Sequence, residues 1–154
     1  MNETYTHKIH IVEVKDKYKI DRIIKACDNA FLMPVSKRRY YNDLLSKISR
    51  NAVFLLAENN FNDILGYVAI YINNFSTKVA YITLIAVNNK FQGQGIGKLL
   101  LKKCEEYARN SGFKIIRLEV NKNNLKARSF YYANDFIATG EEKEESIFLE
   151  KVIN

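Results

Sequence analysis

Three glycines within five residues place the strongest constraint on what this chain can fold into. Gly93, Gly95 and Gly97 lie in the segment Gln92–Lys98, which follows an apolar run typical of a strand and precedes apolar residues at helical spacing. Glycine loses the most conformational freedom on folding, so such a cluster is expected where the backbone takes positive φ or approaches another group closely. The free N–H groups and the dipole of a helix N-terminus favour an anion there. The segment therefore predicts a phosphate-binding turn between a strand and a helix, with Lys98 adding a point charge.

The remaining hydrophobic patterns predict a fixed order of strands and helices. Apolar runs, most of them rich in β-branched residues, predict seven strands, at Lys8–Val14, Ala52–Glu58, Ile64–Ile72, Ala80–Val87, Phe113–Val120, Phe136–Thr139 and Ser146–Ile153. Apolar residues three and four apart predict four helices, at Asp16–Phe31, in a segment capped by Ser36 after the break at Pro34, at Gly97–Ser111 with Gly112 as its stop, and at Leu125–Ala133. The charged segment Glu141–Glu145 between the last two strands is expected to be a solvated turn.

This order predicts a single α+β domain over residues 1–154, in which helices pack on a mixed, mostly antiparallel sheet. The strands Ala52–Glu58, Ile64–Ile72 and Ala80–Val87 are expected to form an antiparallel meander. The step from Ala80–Val87 through a helix to Phe113–Val120 is a βαβ unit and predicts one central parallel pair.

Composition narrows the class of protein. The chain has 154 residues, of which 47% are hydrophobic and 27% charged, as in an ordinary globular domain. No apolar stretch approaches the roughly 18 residues of a membrane-spanning helix, and the first residues lack the pattern of a signal peptide. Cys27 and Cys104 have no metal-ligand spacing, and His7 and His10 lack acidic companions, so we expect no metal. We expect a cytoplasmic protein with reduced thiols and no membrane partner.

The net charge of +7 favours an anionic partner without saying which one. A nucleic acid, an acidic protein and a phosphorylated cofactor all fit this charge. The chain lacks the clustered basic run and the stacking aromatic residues of a nucleic-acid platform, so we expect no nucleic-acid partner.

Three phosphate-binding schemes compete for the glycine segment. A Walker loop needs one more residue between Gly93 and Gly97, and it needs Ser or Thr where this chain has Leu99. A dinucleotide fold needs G-x-G-x-x-G after a first strand, whereas this loop reads G-x-G-x-G after several strands. Glu119, at the end of the next strand, imitates the ribose-binding acid of that fold, but too little chain follows to build a doubly wound sheet. The third scheme is a turn that holds the pyrophosphate of coenzyme A.

Two motifs in the right order favour the third scheme. The pattern Gln92-x-x-Gly95-x-Gly97 resembles the Q/R-x-x-G-x-G/A loop of the GNAT acyltransferase superfamily, and Asn124-x-x-Ala127-x-x-Phe130-Tyr131 resembles that family's N-x-x-A-x-x-[FL]-Y. The similarity of motifs runs from about Tyr81 to Phe136, and the order of strands and helices agrees over nearly the whole chain. The resemblance implies a three-layer α/β/α domain that uses acetyl-CoA as acyl donor and no metal.

The resemblance also implies a role for each matched residue. By it, Tyr131 is the general acid that protonates the departing CoA thiolate, while Asn124 hydrogen-bonds the pantetheine arm and Ala127 packs near it. The backbone of the preceding strand pairs with the pantetheine arm and the loop amides hold the pyrophosphate, which assigns cofactor binding to Ile85, Ala86, Val87, Gln92, Gly93, Gln94, Gly95, Ile96, Gly97 and Lys98.

The chain departs from the family pattern at two places. Asp135-Phe136 stands where the family often has Gly-Phe, and Asp adopts left-handed geometry more readily than most residues. The stretch Tyr81–Leu84 carries no acid where many members have a Glu that activates the amine through water. The general base is therefore open between Glu119 and a water chain to a backbone carbonyl.

The expected function is an N-acetyltransferase in which a primary amine of a small molecule attacks acetyl-CoA directly. The alternatives are a protein N-terminal or lysine acetyltransferase of the same fold and an acyl-CoA-binding module without turnover. Acceptor specificity is expected in the connections Phe31–Ser36 and Asn73–Lys78, with Tyr40 and Tyr41 shared between the core and the acceptor wall. A homodimer through an exposed C-terminal strand edge is one expected assembly.

Overall fold

The computed structural model describes residues 8–154, so His7 and the rest of residues 1–7 lie outside the described part of the predicted domain. Its helices are α1 (Lys17–Ala26), α2 (Tyr41–Asn51), α3 (Ile96–Asn110) and α4 (Leu125–Ala133). Its strands are β1 (His10–Glu13), β2 (Val53–Glu58), β3 (Ile64–Tyr71), β4 (Val79–Val87), β5 (Ile115–Asn121), β6 (Ile137–Glu142) and β7 (Ser146–Val152). None of the helices in residues 8–154 has both the length and the apolar character needed to cross a bilayer.

The strands form one sheet in the order β1-β2-β3-β4-β5-β7-β6. β4 and β5 are the parallel pair, with Val79–Tyr81 opposite Ile115–Arg117, and the sheet is otherwise antiparallel. This confirms the predicted α+β class, the meander and the single parallel βαβ unit. The pairing with β5 ends at Tyr81, and β4 continues from there to Val87.

The described chain divides into two compact units. The first holds the residues up to Ala69 together with Leu84–Lys103, and the second holds Ile70–Thr83 together with Cys104–Asn154. The first unit therefore contains the glycine loop, and the second contains α4. The prediction of one acyltransferase domain over residues 1–154 stays a prediction.

The predicted cap of the second helix is wrong. α2 begins at Tyr41, and Tyr40 precedes it without a side-chain cap, whereas Ser36 lies in a short 3₁₀ turn. The Ser36 backbone N–H and hydroxyl instead donate hydrogen bonds to the Asp28 carboxylate. A short polar side chain can cap only one site, and Asp28 takes both donors of this serine.

Two predicted boundaries are also wrong. α1 ends at Ala26, with Asp16 as its N-cap, and a separate 3₁₀ turn follows at Asp28–Ala30 within the span predicted as one helix. β6 extends to Glu142, so the charged tip between β6 and β7 is shorter than the predicted turn Glu141–Glu145. The turn after α1 is closed by short-range backbone bonds, with the Ala30 N–H donating to the Cys27 carbonyl, and β6 gains length by pairing with β7.

Candidate active site

The end of β4 is fixed by a close approach from β3. A Cβ built on Gly66 would lie 2.6 Å from the Ala86 carbonyl oxygen and 3.2 Å from the Val87 Cα. A third contact, 3.4 Å to Leu100 Cδ1, ties the same point to α3. No side chain fits here, so Gly66 sets the distance between the two strands at the residues predicted to bind the pantetheine arm. Gly66 was not among the residues predicted for the site, although an isolated glycine inside a strand is a signal for such an approach.

A buried asparagine joins the end of β4 to the loop that follows. Asn88 is 9% exposed, and its Nδ2 donates to the Ile64 carbonyl at 3.1 Å. Its Oδ1 accepts from the Lys90 backbone N–H and from Asn29 Nδ2, each at 3.2 Å. Asn29 Oδ1 in turn accepts from the Asn89 N–H at 2.9 Å. The two asparagines therefore pin the segment after α1 to the start of the glycine loop, and sequence reasoning found neither.

The glycine loop has the backbone that its composition predicts. Gly93 and Gly95 have φ of 82° and 79°, in the left-handed region, while an added Cβ would meet nothing within 4 Å. The glycines are thus required by conformation rather than by crowding. Gly97 lies inside the first turn of α3, one residue later than the observed start at Ile96.

The start of α3 offers an anion site of the predicted kind. The Gly95 carbonyl accepts from the Leu99 N–H at 3.2 Å, so the N–H groups of the first turn have no partner within the helix. That turn holds no acidic residue, and its third residue, Lys98, is exposed. Upstream, Gln92 Nε2 donates to the Val87 carbonyl at 3.3 Å and closes the loop onto the end of β4.

The predicted cofactor residues of the first unit are brought together at this junction. Ala86 and Ile96 are buried, Ile85, Val87 and Gly97 are half-buried, and the rest of the loop is exposed, namely Gln92, Gly93, Gln94, Gly95 and Lys98. The exposed backbone N–H groups of the glycine loop, next to the end of β4, can donate hydrogen bonds to the phosphate groups of a ligand.

In the second unit, Asn124 has a settled structural role. Its Oδ1 accepts from the Ala127 N–H at 3.1 Å, which makes it the N-cap of α4. Its side-chain NH₂ group is the part that this cap does not use, and Asn124 is exposed. Ala127 is half-buried in the first turn.

Tyr131 is held in place by aromatic packing and by the end of its own helix. Its ring makes edge contacts with Phe130 and Phe136, at centroid distances of 5.4 and 5.7 Å, and its carbonyl accepts from the Phe136 N–H. Asp135 has φ of 71° in this turn, so Asp does supply the left-handed residue that Gly supplies elsewhere. Burial raises the pKa of the Tyr131 phenol, so the hydroxyl keeps its proton at neutral and moderately alkaline pH.

Glu119, one of the two candidates for the general base, accepts hydrogen bonds from two side chains. Its Oε1 accepts from Lys143 Nζ at 3.3 Å, and its Oε2 accepts from the Ser146 hydroxyl. Glu119 also faces Tyr81, whose pKa is raised by burial first and by the Glu119 charge second.

The cysteines have a structural role. Burial raises the pKa of the Cys27 thiol to about 12, with the nearby Asp28 charge adding to the effect, and burial raises the pKa of Cys104 further. Both thiols are fully buried, so neither forms the thiolate that a nucleophile requires. In residues 8–154, no group of His, Cys, Asp and Glu side chains is arranged to hold a metal.

The family model of the GNAT acetyltransferases matches residues 19–136. The chain belongs to the GNAT acetyltransferase family. The match spans well over half of the chain and includes both motifs, and the activity class is therefore acetyl-CoA-dependent acyl transfer. The dinucleotide scheme and the binding module without turnover, which the sequence left open, are not supported.

Individual relatives agree with the GNAT assignment. An uncharacterized N-acetyltransferase of Archaeoglobus fulgidus is 34% identical over 112 residues, which cover 70% of this chain and 74% of the relative. A Bacillus subtilis protein, assigned provisionally as a ribosomal protein bS18-alanine N-acetyltransferase, is 28% identical over 112 residues, 73% of this chain and 70% of its own.

Solved structures confirm the GNAT fold. The crystal structure of the PaiA N-acetyltransferase from Thermoplasma acidophilum in complex with coenzyme A superposes with a TM-score of 0.80. It covers 94% of this chain and 99% of that chain at 21% identity. At that identity the likeness supports the fold and says nothing of the acceptor. The roles of the site residues and the cytoplasmic location stay predictions.

Proposed function

We propose that this GNAT member transfers the acetyl group of acetyl-CoA to a primary amine by direct attack. The main support for this proposal is the junction of β4, the glycine loop and α3. Exposed backbone amides and Lys98 lie there beside the end of β4, whose distance from β3 is set by Gly66. The pairing of β4 with β5 ends at Tyr81, which supports a role for Ile85, Ala86 and Val87 in pairing with the pantetheine arm. Pyrophosphate at Gln92–Lys98 would be held by backbone N–H groups.

The acetyl group passes directly from the thioester to the amine, without a covalent enzyme intermediate. The amine nitrogen attacks the thioester carbon, the new C–N bond forms, and the C–S bond breaks to release the CoA thiolate. A backbone N–H near Val87 is the proposed donor to the carbonyl oxygen, which becomes negative in the transition state. Holding both reactants in this geometry lowers the entropic cost of bringing them together.

Tyr131 is the proposed proton donor to the departing sulfur. A phenol ionises near pH 10 and a thiol near pH 8.5, and burial moves the Tyr131 pKa further up. Tyr131 therefore acts first by hydrogen-bonding the thiolate as charge develops. Such general acid catalysis typically contributes about 10²–10⁴-fold.

The proton lost by the amine goes either to Glu119 or to water. Replacing Glu119 by Gln keeps the hydrogen bond from Ser146 but removes the basic carboxylate. If Glu119 is the base, E119Q lowers kcat about a hundredfold or more. An unchanged kcat assigns the step to water.

For the acceptor, we propose the N-terminal amine of a protein or peptide. The relative assigned as an alanine N-acetyltransferase of a ribosomal protein supports this class, as does the exposure of Leu32 and Met33 in the connection where acceptor specificity is expected. The small-molecule amine that the sequence analysis placed first is the second candidate, and it rests on the family reaction alone.

Thiol release separates the two acceptor classes. The protein is assayed with acetyl-CoA against short peptides that begin with alanine, and against small alkyl amines and diamines of equal concentration. The proposal expects kcat/KM to be higher for the peptides by at least tenfold. Turnover of small amines with no turnover of any peptide would contradict it.

A further inference from the structure

The connection between α1 and α2 presents an apolar and cationic surface to solvent. Leu32 is fully exposed, Met33 is 61% exposed, and Tyr40 is 65% exposed. Between them lie three consecutive exposed cations, Lys37, Arg38 and Arg39. We refer to residues 32–40 as the α1–α2 surface.

The base of the α1–α2 surface is anchored beside the end of β4. Asn29 bonds to Asn88 and to the Asn89 backbone, and Asp28 accepts two hydrogen bonds from Ser36 across the connection. The first end of the segment is therefore fixed next to the start of the glycine loop.

Aromatic rings orient two of the three cations of the surface. The Arg38 guanidinium lies 5.2 Å from the Phe31 ring centroid and donates to the Met33 carbonyl, while the Arg39 guanidinium lies 5.3 Å from the Tyr40 centroid. Within residues 8–154, none of the three cations pairs with a carboxylate. A guanidinium that stacks on a ring keeps in-plane N–H donors for a planar carboxylate.

We propose that the α1–α2 surface binds an acidic peptide segment, namely residues that follow the reactive amine of the acceptor. Leu32 and Met33 take an apolar side chain of that segment, and Lys37–Arg39 face its carboxylates. A peptide is favoured over a membrane because the exposed aliphatic side chains of the surface are confined to the neighbours Leu32 and Met33. It is favoured over RNA because arginines already lie over the rings of Phe31 and Tyr40, where bases would stack. The inference rests on the proposed function and adds an acceptor class to it.

Charge reversal with a matched control tests the proposal. In one variant Lys37, Arg38 and Arg39 become Glu. In the control, three exposed cations on other elements, Lys15, Arg22 and Lys102, become Glu. Both variants shift the net charge from +7 by the same six units, 7 − 6 = +1, so the long-range field changes equally.

The probe is a labelled short peptide with alanine first, two acidic residues next and leucine fourth. A second peptide carries the corresponding amides in place of the two acids. Binding is measured by fluorescence anisotropy at low and at physiological ionic strength, and turnover by thiol release. Acetyl-CoA affinity of each protein is measured beforehand by calorimetry.

We expect the wild type and the control to bind the acidic peptide about tenfold more tightly than the amide peptide at low salt. K37E/R38E/R39E is expected to lose that preference while keeping its acetyl-CoA affinity and its melting temperature. Equal loss in the two variants would reduce the effect to net charge and overturn the proposal. Preference for a single-stranded RNA or for anionic vesicles over both peptides would also overturn it.

A failure of the proposed function has a different signature. If the wild type does not bind acetyl-CoA, the transferase assignment fails whatever the peptides do. If acetyl-CoA binds and peptides turn over with no preference for acidic residues, only the inference about the α1–α2 surface fails.

Discussion

Gly66→Ala should damage stability and catalysis together, although Gly66 carries no side chain. The new Cβ would lie 2.6 Å from the Ala86 carbonyl oxygen, whereas contacts under 3.0 Å are essentially never seen. To remove this steric clash, β3 and β4 must move apart by at least 3.0 − 2.6 = 0.4 Å. The neighbours at this point are backbone atoms of Ala86 and Val87, which cannot rotate away as a flexible side chain can.

The magnitude follows from two opposing terms. Overpacking of this kind destabilises a folded protein by about 1–3 kcal/mol. Alanine also lowers the conformational entropy of the unfolded chain, which stabilises the folded state by about 0.4–1 kcal/mol. A net loss of about 1–2 kcal/mol corresponds to a fall in Tm of roughly 2–8 °C for a chain of this size. Because the shift occurs at the proposed thioester site, kcat/KM should also fall, by about tenfold.

The assay pairs thermal unfolding with steady-state kinetics. Gly112→Ala is the control, since its φ of 80° makes alanine strained while nothing within 4 Å of its Cβ belongs to the site. That strain costs about 1–2 kcal/mol, so the control should lower Tm and leave kcat/KM unchanged. A Gly66→Ala protein with the Tm and kcat/KM of the wild type would show that β3 and β4 accommodate the added methyl group without a shift at the site.

Four further predictions follow from the site and the core. Tyr131→Phe should lower kcat by about 10²-fold or more with little change in acetyl-CoA affinity, whereas Tyr132→Phe should leave both unchanged; equal rates for the two variants would remove Tyr131 from the mechanism. Asn124→Ala should lower the free energy of unfolding by about 1 kcal/mol through the lost helix cap, whereas Asn124→Asp keeps the cap. Weaker acetyl-CoA binding in both variants would support donation from the Asn124 amide to pantetheine. Unchanged acetyl-CoA binding in Asn124→Asp would restrict the residue to capping. Tyr67→Phe should raise the free energy of unfolding by about 1 kcal/mol, because the fully buried Tyr67 hydroxyl has no hydrogen-bond partner in the described chain; a lower Tm would show a partner for that hydroxyl. The melting temperature should fall as the pH rises from about 9 to about 12. The reason is that the folded state holds the Cys27 proton up to about pH 12, whereas an unfolded thiol releases its proton near pH 8.5. A melting temperature that rises over this range would contradict the expected direction of the pH dependence.

The order of elements was predictable because it depends on local periodicity. α4 runs from Leu125 to Ala133 as predicted, since Asn124 is a strong N-cap and Asp135 stops the helix in left-handed geometry. The parallel pair followed from the chain order alone, as a strand–helix–strand step fixes it. The phosphate turn was predictable because its glycines are required by φ, which is a local property.

What the sequence did not reveal depends on contacts between distant segments. Gly66 matters because Ala86 comes close to it, and Asn88 matters because Asn29 and Ile64 supply its partners. Ser36 looked like a helix cap, but Asp28 attracts its donors eight residues away. Glu119 could be named as a base from its position, and only the fold shows Ser146 and Lys143 on its carboxylate.

The junction of β4, the glycine loop and α3 is the proposed binding site for acetyl-CoA. Calorimetric titration of the protein with acetyl-CoA, beside desulfo-CoA, ATP and NAD, tests it most directly. We expect saturable binding of acetyl-CoA and desulfo-CoA with no heat from NAD or ATP, and a large loss of affinity when Gly95, with its φ of 79°, becomes Val. Absence of acetyl-CoA binding at millimolar ligand, or saturable binding of NAD in its place, would contradict it.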